Sequence, residues 1–167
     1  MTESLTAYLG LGSNLGDRLQ YLQEARSRLA ALPGVVVSAS SCLYQSEALG
    51  GPPGQPPYLN AVVVVQTALG PVALLDGCKV IELQLGRQRI ERWGARTLDI
   101  DLLLFGTLQI DSDLLSVPHP RMLERSFVLL PLAELAPTLV HPVAGLSITQ
   151  LAQKFEADPH ITSLGAW

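Results

Sequence analysis

TLDIDLLLF, residues 97–105, alternates polar with apolar positions and then runs wholly apolar. Successive side chains of a strand point to opposite faces, so Thr97, Asp99 and Asp101 share one face while Leu98, Ile100 and Leu102 share the other. Leu103 and Phe105 are expected to continue the aspartate face, leaving it wet or ligand-bound only at the strand's beginning. Working upstream, YLNAVVVVQT (58–67) and VVVSASSCLY (35–44) read as two more strands, rich in β-branched residues. AYLGLGS (7–13) reads as a short buried strand.

Two helices fall between these strands. Leu15, Leu19, Leu22, Ala25, Leu29 and Leu32 recur at steps of three and four, the spacing of one helix face. Ser13 or Asn14 can cap that helix, and Pro33-Gly34 stops it. Pro71 suits the first turn of a second helix whose Leu74, Cys78, Ile81 and Leu85 share a face, with Gly86 placed to end it. The stretch at 97–105 then completes the order β-α-β-β-α-β, the split βαβ arrangement of ferredoxin-like domains in the α+β class. Residues after 106 read as a C-terminal α/β elaboration: a short strand at 108–110, a Pro-bounded loop, and helices near 121–136 and 147–155. Ser147 with Gln150 forms a capping-box pattern for the last helix. Residues 1–167 are expected to form a single domain.

Composition narrows the function. The chain has 167 residues, 48% hydrophobic and 16% charged, enough for a core without disulfide or metal staples. Cys42 and Cys78 have no metal-ligand spacing, so they read as unpaired, buried thiols in a reducing compartment. A net charge of −4 argues against nucleic acid or an anionic membrane as the main partner. No signal-peptide succession opens the sequence and no apolar run reaches the length of a membrane span. The expectation is a cytoplasmic monomer.

Charge is concentrated around the opening stretch. Asp99 and Asp101, side by side, repel each other unless a cation sits between them, and magnesium held by one or two carboxylates plus substrate phosphates meets that need. The bare pattern also fits a solvated strand face. Arg87, Arg89, Arg92 and Arg96 fall in GRQRIERWGAR (86–96), directly before the aspartates. Guanidinium groups grip phosphate oxygens with paired hydrogen bonds, whereas a surface salt-bridge network contributes only about 0 to 1 kcal/mol per pair. Tyr58 and Asn60 share a strand face after the irregular SEALGGPPGQPP (46–57) and suit a flat, hydrogen-bonding heterocycle. SVPHPRMLERSF (116–127) adds His119, Arg121, Arg125 and Phe127. GLGSNLG (10–16) fails as a dinucleotide fingerprint, because position 15 is Leu where glycine is required. Both irregular segments, 46–57 and 86–96, are expected to order when ligands bind.

LGSNLGDR (11–18), YLNAVV (58–63), IELQLGRQR (81–89), RWGARTLDIDLLLFG (92–106) and VPHPRMLERSFVLLPLAELAP (117–137) together resemble the 6-hydroxymethyl-7,8-dihydropterin pyrophosphokinase family of folate biosynthesis, in the family's order. The resemblance implies transfer of the β,γ-diphosphate of ATP to the pterin hydroxymethyl oxygen, with release of AMP. It implies that Asp99 and Asp101 hold two magnesium ions bridging the triphosphate and the reacting oxygen, and that Arg89 and Arg96 neutralise the transferring group. Trp93, Leu102, Ser116, His119 and Arg125 match positions near ATP. Tyr58 and Phe127 match an aromatic pair around the pterin, Asn60 its hydrogen-bonding residue, and Ser46 to Leu49 the loop backbone that completes the pocket. Ala95 stands where the family often has proline, and Glu47-Ala48 where some members have prolines. Another magnesium-dependent nucleotidyl or phosphoryl transferase would share the carboxylates without needing Tyr58, Asn60 and Phe127. A noncatalytic ferredoxin-like binding module would need neither.

Overall fold

The computed structural model describes residues 3–48, 51–86 and 97–167. Strand β1 (Leu5–Ser13) leads into helix α1 (Arg18–Ala31), followed by β2 (Val35–Ser40), β3 (Leu43–Ser46) and β4 (Tyr58–Thr67). Helix α2 (Pro71–Gln84) precedes β5 (Asp99–Phe105), the short strands β6 (Ile110–Asp111) and β7 (Ser116–Val117), and helices α3 (Ser126–Leu135) and α4 (Ile148–Ala152). Strand β8 (Ile161–Gly165) comes last. The main sheet runs β5-β1-β4-β3-β8, with β2 also paired to β4, and every pairing is antiparallel.

Alternation along β1, β4 and β5 sends side chains to two cores. Ala7, Leu9 and Leu11 of β1, the odd-numbered residues 59–65 of β4, and Ile100, Leu102 and Phe105 of β5 pack against α1 and α2. The opposite face is covered by α3 and α4, where Val62, Leu103 and Leu104 meet Val128, Leu129 and Leu132. Both faces of the sheet are therefore buried over most of its length, which is why β4 is almost continuously apolar.

Several boundaries differ from the sequence reading. Helix α1 is capped by Asp17, whose carboxylate accepts from the Gln20 N–H at 3.1 Å, rather than by Ser13 or Asn14. Ser13 ends β1 and Asn14 faces the proline loop instead. The run 35–44 is two strands. Ser41 interrupts it by donating its N–H to Val62 O while its hydroxyl accepts from the Val62 N–H, so a side chain replaces one backbone rung. Cys78 is buried as expected, whereas Cys42 at this break is half-buried, and both are free thiols.

The aspartate face of β5 also turns differently. Pairing with β1 slips between Tyr8 and Leu9, so β5 carries one extra residue and Leu103 and Leu104 both face α3. This bulge sends Phe105 to the α1/α2 side, opposite to simple alternation. The first strand of the elaboration lies at 110–111 rather than 108–110, and the helix near 121–136 begins with a separate 3-10 turn, Met122–Glu124. Ser147 and Gln150 make both reciprocal capping-box bonds, as read from the sequence. Strand β8 was not expected. Its residues are mostly exposed and carry no apolar alternation, and it exists because β3 offers it an edge.

Candidate active site

The site occupies the end of the sheet that α3 leaves uncovered. Gly10 and Gly12 of β1 point their α-carbons to this face, because Leu9 and Leu11 point into the opposite core. In register, Gly12 lies between Asp99 and Asn60, and Gly10 between Asp101 and Val62. Two carboxylates on one side and an amide on the other thus flank a strip of bare backbone. Ser46, Glu47 and Ala48 at the end of β3, with Arg125 and Phe127 at the start of α3, complete a cavity of about 320 Å³, within the range of small-molecule sites.

Asp99 and Asp101 are both half-buried. Asp101 Oδ2 lies 3.6 Å from Arg125 Nη1, and the same guanidinium stands 5.5 Å from the Phe127 ring centroid. Across the strip, Asn60 is 3% exposed and donates its amide to Ser46 Oγ at 2.8 Å and to Tyr44 O at 3.3 Å. Committing the NH2 group to β3 turns Oδ1 toward Gly12. The amide therefore presents an acceptor to the cavity, suited to an N–H edge.

The proline loop is tied to the start of α1. Asn14 donates to Gln55 Oε1 and Pro56 O, each at 3.2 Å, while Arg18 donates to Pro57 O at 2.9 Å and to Gln45 Oε1 at 3.2 Å. Asn14 and Arg18 of LGSNLGDR thus hold a loop beside the cavity, and Gly12 of the same stretch lines the cavity floor. Gln55, Pro56 and Pro57 are thereby anchored to the start of α1, more than the loop's Gly/Pro content suggests.

His119 sits beside Arg121 and Arg125 but outside the cavity lining. Its N–H donates to Leu103 O at 2.8 Å, docking the segment on β5, and its Nδ1 accepts from the Arg121 N–H at 3.2 Å. Burial, and then the two arginines, push the ring down to about 4. It is neutral at pH 7, and with Nδ1 accepting, its proton is assigned to Nε2.

The structure thus brings together Asp99, Asp101, Ser46, Tyr58, Asn60, Arg125 and Phe127. It does not bring in the Leu102 side chain, which is 4% exposed in the α1/α2 core. Ser116 lies on β7, its hydroxyl 3.5 Å from Asp111 Oδ1. Leu49, Arg89, Trp93 and Arg96, and the rest of 87–96, lie outside the described residues. Sequence reasoning missed Gly10, Gly12 and Glu124 as lining residues, although strict alternation in β1 already sets both glycines on the face opposite Leu9 and Leu11. It also missed Glu82, a buried carboxylate on α2 that accepts the Ile100 N–H at 3.0 Å, between the two aspartates.

Among the described residues, no group of three or more His, Cys, Asp or Glu side chains could hold a metal. Two hard carboxylate oxygen donors beside an open cavity do fit magnesium, which takes its remaining ligands from phosphates and water.

Comparison with known proteins bears on this geometry. A family model described as 7,8-dihydro-6-hydroxymethylpterin-pyrophosphokinase (HPPK) matches residues 8–137. The 2-amino-4-hydroxy-6-hydroxymethyldihydropteridine pyrophosphokinase of Synechocystis sp. is 44% identical, covering 90% of this chain and 76% of the relative. The protein of that name from Pseudomonas aeruginosa is 47% identical over 81% of this chain and 83% of its own. A crystal structure of Plasmodium falciparum HPPK-DHPS with pteroate superposes with a TM-score of 0.71 over 97% of this chain at 15% identity, a likeness of fold. The chain spans about half the length of that solved structure, 47%. The matched span runs from within β1 past the end of α3 and contains every cavity-lining residue; the chain belongs to the 7,8-dihydro-6-hydroxymethylpterin-pyrophosphokinase family.

Proposed function

We propose that this chain transfers the diphosphate of ATP to the hydroxymethyl oxygen of 6-hydroxymethyl-7,8-dihydropterin, releasing AMP and the pterin diphosphate in folate biosynthesis. The observation that carries the reading is the juxtaposition across Gly10 and Gly12. A carboxylate pair on β5 suited to magnesium and polyphosphate lies across β1 from an amide acceptor and Tyr58 on β4, with Phe127 of α3 lining the same cavity, a set suited to a flat heterocycle. A different magnesium-dependent transferase, or a binding module, would have no use for both halves in one cavity.

In this reading Asp99 and Asp101 hold two magnesium ions. When bound, magnesium neutralises polyphosphate charge and lowers the proton affinity of the attacking hydroxyl. Asn60 Oδ1 accepts from an N–H edge of the pterin, Tyr58 and Phe127 bracket its ring, and Ser46 fixes the amide's orientation. Arg125, held between Asp101 and Phe127, is placed to meet a phosphate oxygen. Arg89, Arg96, Trp93 and Leu49 carry their roles by family likeness alone. Leu102 has only main-chain groups to offer ATP. His119 lies beside Arg125, where a neutral Nε2–H donates to an anion without titrating above pH 6, and Ser116 carries its role by family likeness alone. The hydroxymethyl oxygen forms a bond to the β-phosphorus, the bond from that phosphorus to the α-phosphate oxygen breaks, and AMP takes the electron pair while the hydroxyl proton passes to solvent.

Phosphorus NMR of the reaction tests this directly. AMP and a pterin carrying two phosphates are expected in equal amounts, and ADP with a pterin monophosphate would overturn the reading. For the fold, the sheet order supports a ferredoxin-like split βαβ core, with β2 and β3 together as its broken second strand. Two cores sharing one sheet support a single domain. A cytoplasmic monomer completes the proposal, and sedimentation of the purified protein tests the oligomeric part.

A further inference from the structure

Glycine in a strand interior weakens the strand, and it commonly marks a place where a ligand or another backbone comes close. Gly12 stands next to the end of β1, paired on both sides, and its backbone does not require glycine. Its φ is not among the positive values, which fall at Gly16, Gly34, Gly54 and others. Nor does packing exclude a side chain. A Cβ at position 12 would stand 3.4 Å from Asn60 Oδ1 and 3.5 Å from Tyr58 Cδ1, ordinary contact distances with no backbone atom in the way. Gly10 differs. The atoms nearest its added Cβ are Leu103 side-chain carbons, at 3.6 to 3.7 Å, so it would lean on the apolar cluster under α3.

We infer that Gly12 is a specificity-determining residue, whose missing side chain leaves the space in which the edge of a bicyclic heterocycle reaches Asn60 Oδ1. The inference rests on the proposed function, because it takes Asn60 and Tyr58 as the heterocycle's partners. A methyl group here would sit between the acceptor and the ring edge. It would also touch the Tyr58 ring where a stacked heterocycle must lie. At the polyphosphate end Asp101 and Arg125 lie toward Gly10, and although Asp99 is the register partner of Gly12, the atoms nearest an added Cβ belong to Asn60 and Tyr58 rather than to its carboxylate.

Gly12→Ala separates these statements. Calorimetry would titrate 6-hydroxymethylpterin into protein holding magnesium and a nonhydrolysable ATP analogue, and would titrate the analogue alone in a second experiment, with thermal unfolding of each protein alongside. The expected result is pterin affinity lowered about tenfold or more, the range by which one methylene in a pocket discriminates. Analogue affinity should stay within about twofold on the same scale, and the melting temperature should be no lower than that of the wild type. Unchanged pterin affinity would overturn the inference, as would a parallel loss of analogue affinity. A variant that fails to fold would overturn it too, since the inference holds that the apo protein has room for the methyl. A wild-type protein that takes the analogue but no pterin would instead sink the functional reading, and the inference with it.

Discussion

Asn60 shows how one side chain is given a single job by its neighbours. Its donors are spent on Ser46 Oγ and Tyr44 O, so only the acceptor remains for a ligand. Asn60→Ala should weaken pterin binding by about 1 to 3 kcal/mol, the cost of an unpaired buried polar edge, and leave ATP binding nearly unchanged; calorimetry with each ligand decides. Asp99 and Asp101 are half-buried cavity residues rather than core, so replacing either with Ala should lower turnover about a hundredfold or more while thermal unfolding stays near that of the wild type. Near-normal magnesium-dependent turnover in either variant would remove the metal assignment. His119 adds a pH dependence. The folded protein holds the ring down to about 4, against an ordinary 6.5, so between those values the unfolded chain binds more protons. Stability should therefore fall as pH drops through that window and be fully present above it. His141, lowered by burial, acts in the same direction. Urea titrations at pH 4.5 and 7.5 should show a smaller difference for His119→Gln than for the wild type, and equal differences would show that His119 does not carry the effect.

At the scale of the element, β5 depends on α2. Glu82 accepts the N–H of Ile100, the residue between the two aspartates, so a buried carboxylate anchors the strand start that aims them. Glu82→Ala should cost about 1 to 3 kcal/mol in chemical denaturation and lower turnover as well. Glu82→Gln, which keeps an acceptor, should do less of both; equal losses for the two would mean that the charge matters rather than the bond. The elements that were legible in the sequence were those written in apolar spacing and local caps: α2 with Pro71 first and Gly86 after it, the capping box at Ser147, and the alternation that put Asp99 and Asp101 together. The bulge at Leu103 was not legible, because a slip in pairing is a property of two strands and leaves no mark in one. The cap at Asp17 was hidden by two equally good candidates just upstream.

Across the whole molecule, the cavity exists because the helices of one layer stop short. Helix α3 covers Leu103, Leu104 and Val62 and leaves the sheet open from Gly10 onward, so the site needs four separate strand ends and one helix start to be complete. The residue types at those ends were readable in the sequence, and alternation in β1 fixed the face of Gly10 and Gly12, but that they floor a cavity was not readable, since it depends on which strands pair on either side of β1. Ligands that bind only this assembled state should stabilise it by mass action, about 2.7 kcal/mol at a hundredfold excess over the dissociation constant. A thermal shift with pterin, magnesium and an ATP analogue together should therefore exceed the shift with any one alone. Additional hydrogen-exchange protection at 51–57 should accompany it, beyond what the Asn14 and Arg18 anchors already give.

The last residue of the chain gives this architecture an optical handle. Trp167 lies under the Arg26 guanidinium at 3.8 Å, donates its indole N–H to Ser41 O at 2.8 Å, and packs against the α1/α2 core at the break between β2 and β3. Only two tryptophans occur in the chain, so Trp93→Phe leaves a single indole fluorophore in a fixed, partly dry setting. Its emission should be indifferent to substrates and should shift to the red when β8 peels from β3. Such a protein would report the fraying of the sheet edge separately from the filling of the cavity, two events that a melting curve records as one.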